Sequence, residues 1–288
     1  MKFTLESTFP SASDQEKVVR TEICAASSVR KVAAMLDLDP GNFEVGSTLP
    51  RGWQFILMAA DTKRSQLRAD GFPGLGVPMP DLGLPRLMLG SRTVTYKAEI
   101  PIGASVTRES CIRNITQKVN QTGPMAIVMI EHELTLTDSK TSALVESQTY
   151  LLLPASKGGA AVGVSKHPDE LSGHFVKTVV PDETLLFQYS ALGFNSHKIH
   201  IDRSHARNVE GFPDLVVNGG LATLLMTEFL RNDVNVHPAG IKVRHIAPLF
   251  CGSPITMVAK QLEGKWQIQA YDHRFILAID MEVVTHEL

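Results

Sequence analysis

Leu215-Val-Val-Asn218-Gly219-Gly220-Leu-Ala-Thr-Leu-Leu-Met226-Thr-Glu-Phe-Leu-Arg231 sets paired glycines before an apolar run, which reads as a helix entered through backbone that carries no side chains. Such an entry lets a ligand oxygen approach free N–H groups at the helix start. Just upstream, Tyr189-Ser-Ala-Leu-Gly-Phe194-Asn195-Ser-His197-Lys-Ile-His200-Ile-Asp202 gathers Asn195, His197, His200 and Asp202 within eight residues. The background is otherwise apolar, so these polar and titratable groups lie beside a core rather than on a solvated face.

Strand-like runs separated by turns follow the helix at residues 241–247, 255–262, 266–271 and 275–284. The first half of the chain has the same order. Its apolar run over residues 49–60, with Gly52 at the entrance, reads as a buried helix, and strands are expected at 91–99, 105–115, 125–137 and 143–153. Ala98, Gly103, Val106 and Thr107 recur at the same internal spacing as Ala247, Gly252, Ile255 and Thr256, and Gly52 to Met58 parallels Gly220 to Met226. A loop at 71–85, rich in glycine and proline, accounts for the extra residues of the first half. Ahead of all this, residues 16–36 suggest one or two short amphipathic helices. The chain thus divides into an N-terminal unit (1–154), a Gly-rich linker (155–173) and a C-terminal unit (174–288), each an antiparallel sheet wrapped around a helix.

Composition narrows the function classes. Lys plus Arg number 28 against 30 Asp plus Glu, a net charge of −2 over 288 residues, so no basic field draws in nucleic acid or an anionic membrane. No apolar run is long enough to span a bilayer, and the N-terminus shows no leader pattern. Cys24, Cys111 and Cys251 are widely separated and odd in number, as expected of buried thiols in a reducing compartment, the cytoplasm or the mitochondrial matrix. His197, His200 and His205 lack the fourth ligand and the spacing of a zinc site, so no metal is expected. Gly-x-Ser-x-Gly is absent, which leaves a serine-hydrolase elbow unsupported.

Three stretches carry a family resemblance: residues 49–53 continuing through 64–71, Leu84-Pro-Arg-Leu-Met-Leu-Gly90, and the Tyr189–Asp202 segment with Val216-Val-Asn-Gly-Gly220. They resemble the MaoC-like hydratases and dehydratases. The likeness is nearest to the group of 3-hydroxyacyl-thioester dehydratase type 2, mesaconyl-C4-CoA (3-methylfumaryl-CoA) hydratase and itaconyl-CoA hydratase. The resemblance implies an α+β double hot-dog, two tandem antiparallel sheets each around a long central helix. It also implies a cofactor-free hydro-lyase acting on an acyl-CoA or carrier-bound acyl thioester, assembled as a homodimer. The wider family writes its acid/base pair D-x4-H. Asn195-x4-His200 has that spacing, so the histidine carries over and an amide stands where a carboxylate is usual. The later His-Gly pair appears as Asn218-Gly219. By the same resemblance Tyr189, Phe194, His197, Asp202, Val217 and Asn218 surround the substrate.

The residues support that chemistry on their own terms. Moving water across an α,β-unsaturated thioester needs a group that transfers protons and donors that hold negative charge on the thioester oxygen. His200 suits the first task, since its ordinary pKa lies near neutrality. The N–H groups of Gly219 and Gly220 suit the second, at the positive end of a helix. Asn195 would orient the water, and Asp202 would either orient His200 or join an ion pair. Blander readings stand beside these: Asn195 as a turn former, the glycines as packing residues, and the protein as an acyl-CoA-binding module without catalysis. A hot-dog thioesterase is the remaining alternative, with Glu228 as its carboxylate.

Overall fold

The structure, a computed structural model, describes residues 16–120, 123–155 and 175–285. Residues rich in β-branched and aromatic side chains at alternate positions build the strands. They are β1 (Val18–Ile23), β2 (Arg86–Tyr96), β3 (Ser105–Asn120), β4 (Gly123–Leu136), β5 (Ser142–Leu153), β6 (Phe175–Val179), β7 (Gly240–His245), β8 (Ile255–Leu262), β9 (Lys265–Tyr271) and β10 (Leu277–Val284). The helices are α1 (Ala26–Met35), α2 (Glu183–Leu192), α3 (Lys198–Ile201) and α4 (Gly219–Phe229). Among the described residues the strands form one antiparallel sheet in the order β1-β3-β4-β5-β2-β7-β10-β9-β8-β6. Each half repeats the same strand order, and the halves meet where β2 pairs with β7 from Ser91↔Arg244 to Thr95↔Gly240. The duplication read from Ala98 and Ala247 onward is therefore present, as a double hot-dog requires.

α4 is apolar nearly all round. Leu221, Ala222, Leu224, Met226 and Phe229 are buried and join a core shared with both halves, and each large apolar side chain so buried contributes roughly 1.5–3 kcal/mol. The first half departs from expectation here. Residues 49–60 do not form a long helix; Gly52 takes a left-handed φ of 99° and only a five-residue 3-10 turn, Trp53–Leu57, follows. A side chain at Gly52 would strike Thr227 of α4. Trp53 is fully buried and its Nε1 donates to Glu228 Oε1 at 2.8 Å, so this segment packs on α4 instead of extending as a helix of its own. The place of the helix over the first sheet is filled by the Gly/Pro-rich loop: Phe72, Leu75 and Val77 pack on Ala126, Val128 and Ile130 of β4 and Leu152 of β5. Residues 16–36 are likewise not purely helical. Val18 to Ile23 pair with β3 as an edge strand before α1 begins.

The expected linker, 155–173, lies almost wholly outside the described residues. Its cleavage is nonetheless informative, because the β2–β7 seam joins the halves independently of it. Limited proteolysis between Ala155 and Gly163 should leave the two fragments associated on size exclusion, and fragments that part without denaturant would contradict the continuous sheet.

Candidate active site

Asp182 opens α2 as an N-cap, its Oδ1 accepting from Leu185 N at 2.8 Å. The helix stops at Gly193, and Phe194, with φ of 48°, turns the chain sharply. This turn delivers Asn195 and the short helix α3. Asn195 Oδ1 accepts from His197 N at 3.1 Å, a turn-forming role that leaves the amide NH2 as the group it can offer a ligand. The segment is fastened to the first half: Ser196 Oγ donates to Gly71 O at 2.6 Å, Lys198 N to Asp70 O at 2.8 Å and Lys198 Nζ to Ala69 O at 2.8 Å.

His200 is buried, and its Nδ1 lies 2.7 Å from the Val216 carbonyl. A carbonyl only accepts, so Nδ1 carries the proton and Nε2 keeps its lone pair. Burial, reinforced by neighbouring His197, pushes the imidazole down to about 3, so His200 is a neutral base at physiological pH. The ring of His197 stands perpendicular to it with centroids 5.4 Å apart. His197 Nε2 lies 3.5 Å from Asp70 Oδ2. Burial alone would raise the Asp70 carboxyl, but hydrogen bonds from His197 and the Phe72 N–H, with Arg68 nearby, hold it below the usual carboxylate range.

These groups face a cavity of about 240 Å³ between the α4 entrance and the seam of the sheet. Its wall includes His200, Asn195, Gly219, Gly220, Tyr189, His197, Val217 and Asn218 from the sequence-based set. Phe194 and Asp202 do not line it. Phe194 is 61% exposed, because the turn it makes throws its ring outward. Asp202 is exposed and its Oδ1 caps the His205 N–H at 3.0 Å, so it does not orient His200. Glu228 lies at the far side of α4, bound by Trp53, Arg231 and Asn232 rather than open to the cavity. His205 turns toward Glu210, 3.8 Å away, and among the described residues no three His, Cys, Asp or Glu side chains are grouped to hold a metal.

The first-turn N–H groups of α4 have no intrahelical partner, since the ladder begins with Ala222 N donating to Asn218 O at 2.9 Å. Side chains at this entrance are barred by contact. A Cβ on Gly220 would overlap the Tyr189 hydroxyl, and one on Gly219 would stand 3.2 Å from both His245 Cε1 and Leu89 Cδ2. Tyr189 stacks on Phe55 at 4.6 Å, and burial pushes its hydroxyl up to about 12, so it is a neutral donor. Asn218 Oδ1 is buried with no protein partner.

Sequence reasoning missed Asp70, Arg92, Tyr150 and His245, all of which line the cavity. A signal for Arg92 existed in strand parity. It shares a sheet face with Val94 and Tyr96, as Tyr150 does with Gln148 and Glu146, and these alternate residues are buried or half-buried. Three histidines with little or no exposure, His132, His200 and the half-buried His245, also make stability acid-sensitive. Burial lowers His200 and His245 to about 3, the latter helped by Arg92, and His132 to about 4. The unfolded chain takes up those protons near pH 6.5 and the folded protein only near 3–4, so stability is complete above about 6.5 and falls as pH drops through that window. Urea midpoints should hold between pH 7.5 and about 6.5 and decrease from there to pH 4.5, and a flat profile would refute the three neutral imidazoles.

Residues 52–251 match the family model of hydroxyacyl-thioester dehydratase type 2. A mesaconyl-C(4)-CoA hydratase of Chloroflexus aurantiacus is 33% identical over 257 residues, 88% of this chain and 89% of that protein. A MaoC-like dehydratase structure from Phytophthora capsici superposes with a TM-score of 0.66 at 17% identity, covering 95% of this chain and 96% of the other. A Mycobacterium tuberculosis protein with a double hotdog fold gives 0.54 at 11% identity, over 96% and 98%. The structural likenesses concern the fold, whereas the sequence matches establish kinship: the chain belongs to the hydroxyacyl-thioester dehydratase type 2 family.

Proposed function

We propose that the protein adds water to, or removes it from, the α,β double bond of an acyl-CoA or carrier-bound acyl thioester, without a cofactor. The observation that carries this reading is a neutral His200, its Nδ1 committed to Val216 O, in the same cavity as the open first turn of α4. In the hydration direction, Asn195 NH2 holds the water and His200 Nε2 takes its proton as oxygen bonds to Cβ. The π electrons shift to give an enolate, and its oxygen accepts from the Gly219 and Gly220 N–H groups. The imidazolium then returns the proton to Cα. With so low a proton affinity in the empty cavity, His200 holds that proton only while the enolate lies beside it. Asp70, 3.5 Å from His197 Nε2 and lining the same cavity, supplies the carboxylate that Asn195 lacks.

In this reading the second half carries the acid/base chemistry, and the first half builds walls from Asp70, Arg86 to Leu89, Arg92 and Tyr150. One acyl thioester binds per chain, since the corresponding entrance of the first half is closed by buried Trp53 and Gln54. The relative in C. aurantiacus acts, by its name, on mesaconyl-C(4)-CoA, and enoyl-CoA thioesters of that kind are the substrates to try. Incubation with crotonyl-CoA and mesaconyl-CoA should bleach the enoyl band without free thiol. Thiol release, or tight binding with neither change, would overturn the assignment. We further expect a homodimer in the cytoplasm or the mitochondrial matrix; three buried free thiols suit such a reducing compartment.

A further inference from the structure

Tyr189 stands in the cavity wall with His200 and the two glycines of the α4 entrance, and the proton transfers at His200 do not involve it. Its ring is buried and stacks on Phe55 of the first half, 4.6 Å away at an interplanar angle of 25°. The hydroxyl lies against the start of α4: a Cβ built on Gly220 would stand 2.1 Å from the phenolic oxygen. One C–C bond of about 1.5 Å separates Cβ from Cα, so that oxygen is within about 3.6 Å of the Gly220 Cα. Glycine at 220 is what lets the phenol come so near, since any side chain there would displace it.

Among the described residues this hydroxyl has no hydrogen-bond partner. A buried tyrosine O–H usually finds one, and leaving it without one costs free energy. Burial outweighs the pull of Arg92 and keeps the phenol protonated up to about 12, so it offers the cavity an O–H donor. A ring needed only to pack on Phe55 could be phenylalanine. The α4 entrance supplies two N–H groups, and a charged oxygen accepts roughly two to three bonds, so an enolate held there has room for one more. We infer that Tyr189 is a catalytic residue: its O–H is the third donor to the thioester oxygen, converging there with the Gly219 and Gly220 N–H groups. The phenol keeps its proton throughout. Proton transfer stays with His200, and the tyrosine holds the charge that develops on oxygen as water adds to Cβ. Its bond is stronger to the enolate than to the neutral thioester, so it acts on kcat more than on KM. Phe55 is the positioning residue that fixes the direction of the O–H, which gives the 3-10 turn of the first half a share in the chemistry.

The inference rests on the hydratase reading, and its test separates the two. Tyr189→Phe keeps the ring and its stack and removes only the donor. Its kcat for hydration of crotonyl-CoA should fall by about 10²- to 10³-fold, the usual loss for one donor of such a site, with KM within about threefold and the urea midpoint retained. A second readout follows the oxygen itself. Donors that draw charge onto a thioester oxygen move the absorption band of a conjugated enoyl thioester to longer wavelength. Crotonyl-CoA mixed rapidly with His200→Gln protein should show that shift ahead of any turnover, and His200→Gln/Tyr189→Phe should lose most of it. If Tyr189→Phe fails to fold, Phe55→Leu decides: the hydroxyl stays but loses its support, and kcat should drop about tenfold together with part of the shift. A folded Tyr189→Phe protein with near-wild-type kcat, or a red shift that is absent or unchanged by the substitution, overturns the donor role, as does an unaffected Phe55→Leu where that variant decides. A wild type that hydrates neither crotonyl-CoA nor mesaconyl-C4-CoA overturns the hydratase reading instead.

Discussion

Replacement of His200 by alanine should lower kcat by roughly 10²- to 10⁴-fold, the usual loss for a general acid or base, with little change in substrate affinity. The imidazole lies in the cavity with one nitrogen committed to Val216 O, so the variant loses the proton carrier and retains the N–H groups of the α4 entrance. His200→Gln keeps a donor for the Val216 carbonyl and should fold as stably as the wild type, yet be as inactive as the alanine variant. In the free enzyme His200 is already deprotonated far below neutrality, since burial pushes it to about 3. The acidic limb of kcat/KM should therefore not appear near 6.5. Asn195→Asp would set a carboxylate close to His200, raise its proton affinity and move that limb upward. Near-full activity in a folded His200→Ala protein would remove His200 from the mechanism and leave the Asp70–His197 pair to be tested next.

Replacement of Glu146, the buried partner of the cavity residue Arg92, by alanine should be strongly destabilising, about 3–5 kcal/mol by urea unfolding. It strips a buried guanidinium of its counter-charge and orphans the amides of Gln54 and Gln148, which otherwise donate to the lost carboxylate. The double change Arg92→Gln/Glu146→Gln should cost less than Glu146→Ala alone, because no unpaired charge remains. Such non-additivity is the signature of a coupled pair. A Glu146→Ala protein as stable as the wild type would mean that Arg92 already finds water or another anion.

The fold was legible wherever period and repetition coincided. β8 runs over the residues the alternation marks, and Ala98 to Thr107 and Ala247 to Thr256 follow equivalent strands of the two halves. Apolar content misled at residues 49–60, because a run buried on every side looks the same whether it is a long helix or a 3-10 turn pressed on a neighbour. What decides there is the left-handed Gly52 and the bond from Trp53 to Glu228, and the latter is a contact across most of the chain. His200, Asn195, Gly219 and Gly220, which line one cavity, could be grouped from the sequence because a local pattern unites them. Asp70, Arg92 and His245 belong to three segments that only tertiary pairing brings together: a loop tied to Ser196 and Lys198, and two strands adjacent at the seam. Asp202 misled because nearness in sequence to His200 suggested a contact that the end of α3 turns away.

The β2–β7 seam also sets when the protein can begin to work. Arg92 emerges from the ribosome long before His245 and Ile279, which line the same cavity. At about 5–20 residues per second the gap between Arg92 and Ile279 is on the order of ten to forty seconds. During that interval β1 to β5 can pair and the Arg92–Glu146 contact can form, but the outer side of β2 has no neighbour. An open strand edge of this kind invites pairing with other nascent chains. The newborn first half is thus an inert, adhesive intermediate that its own second half must cap, and expressed by itself it should be a client for chaperones rather than half an enzyme.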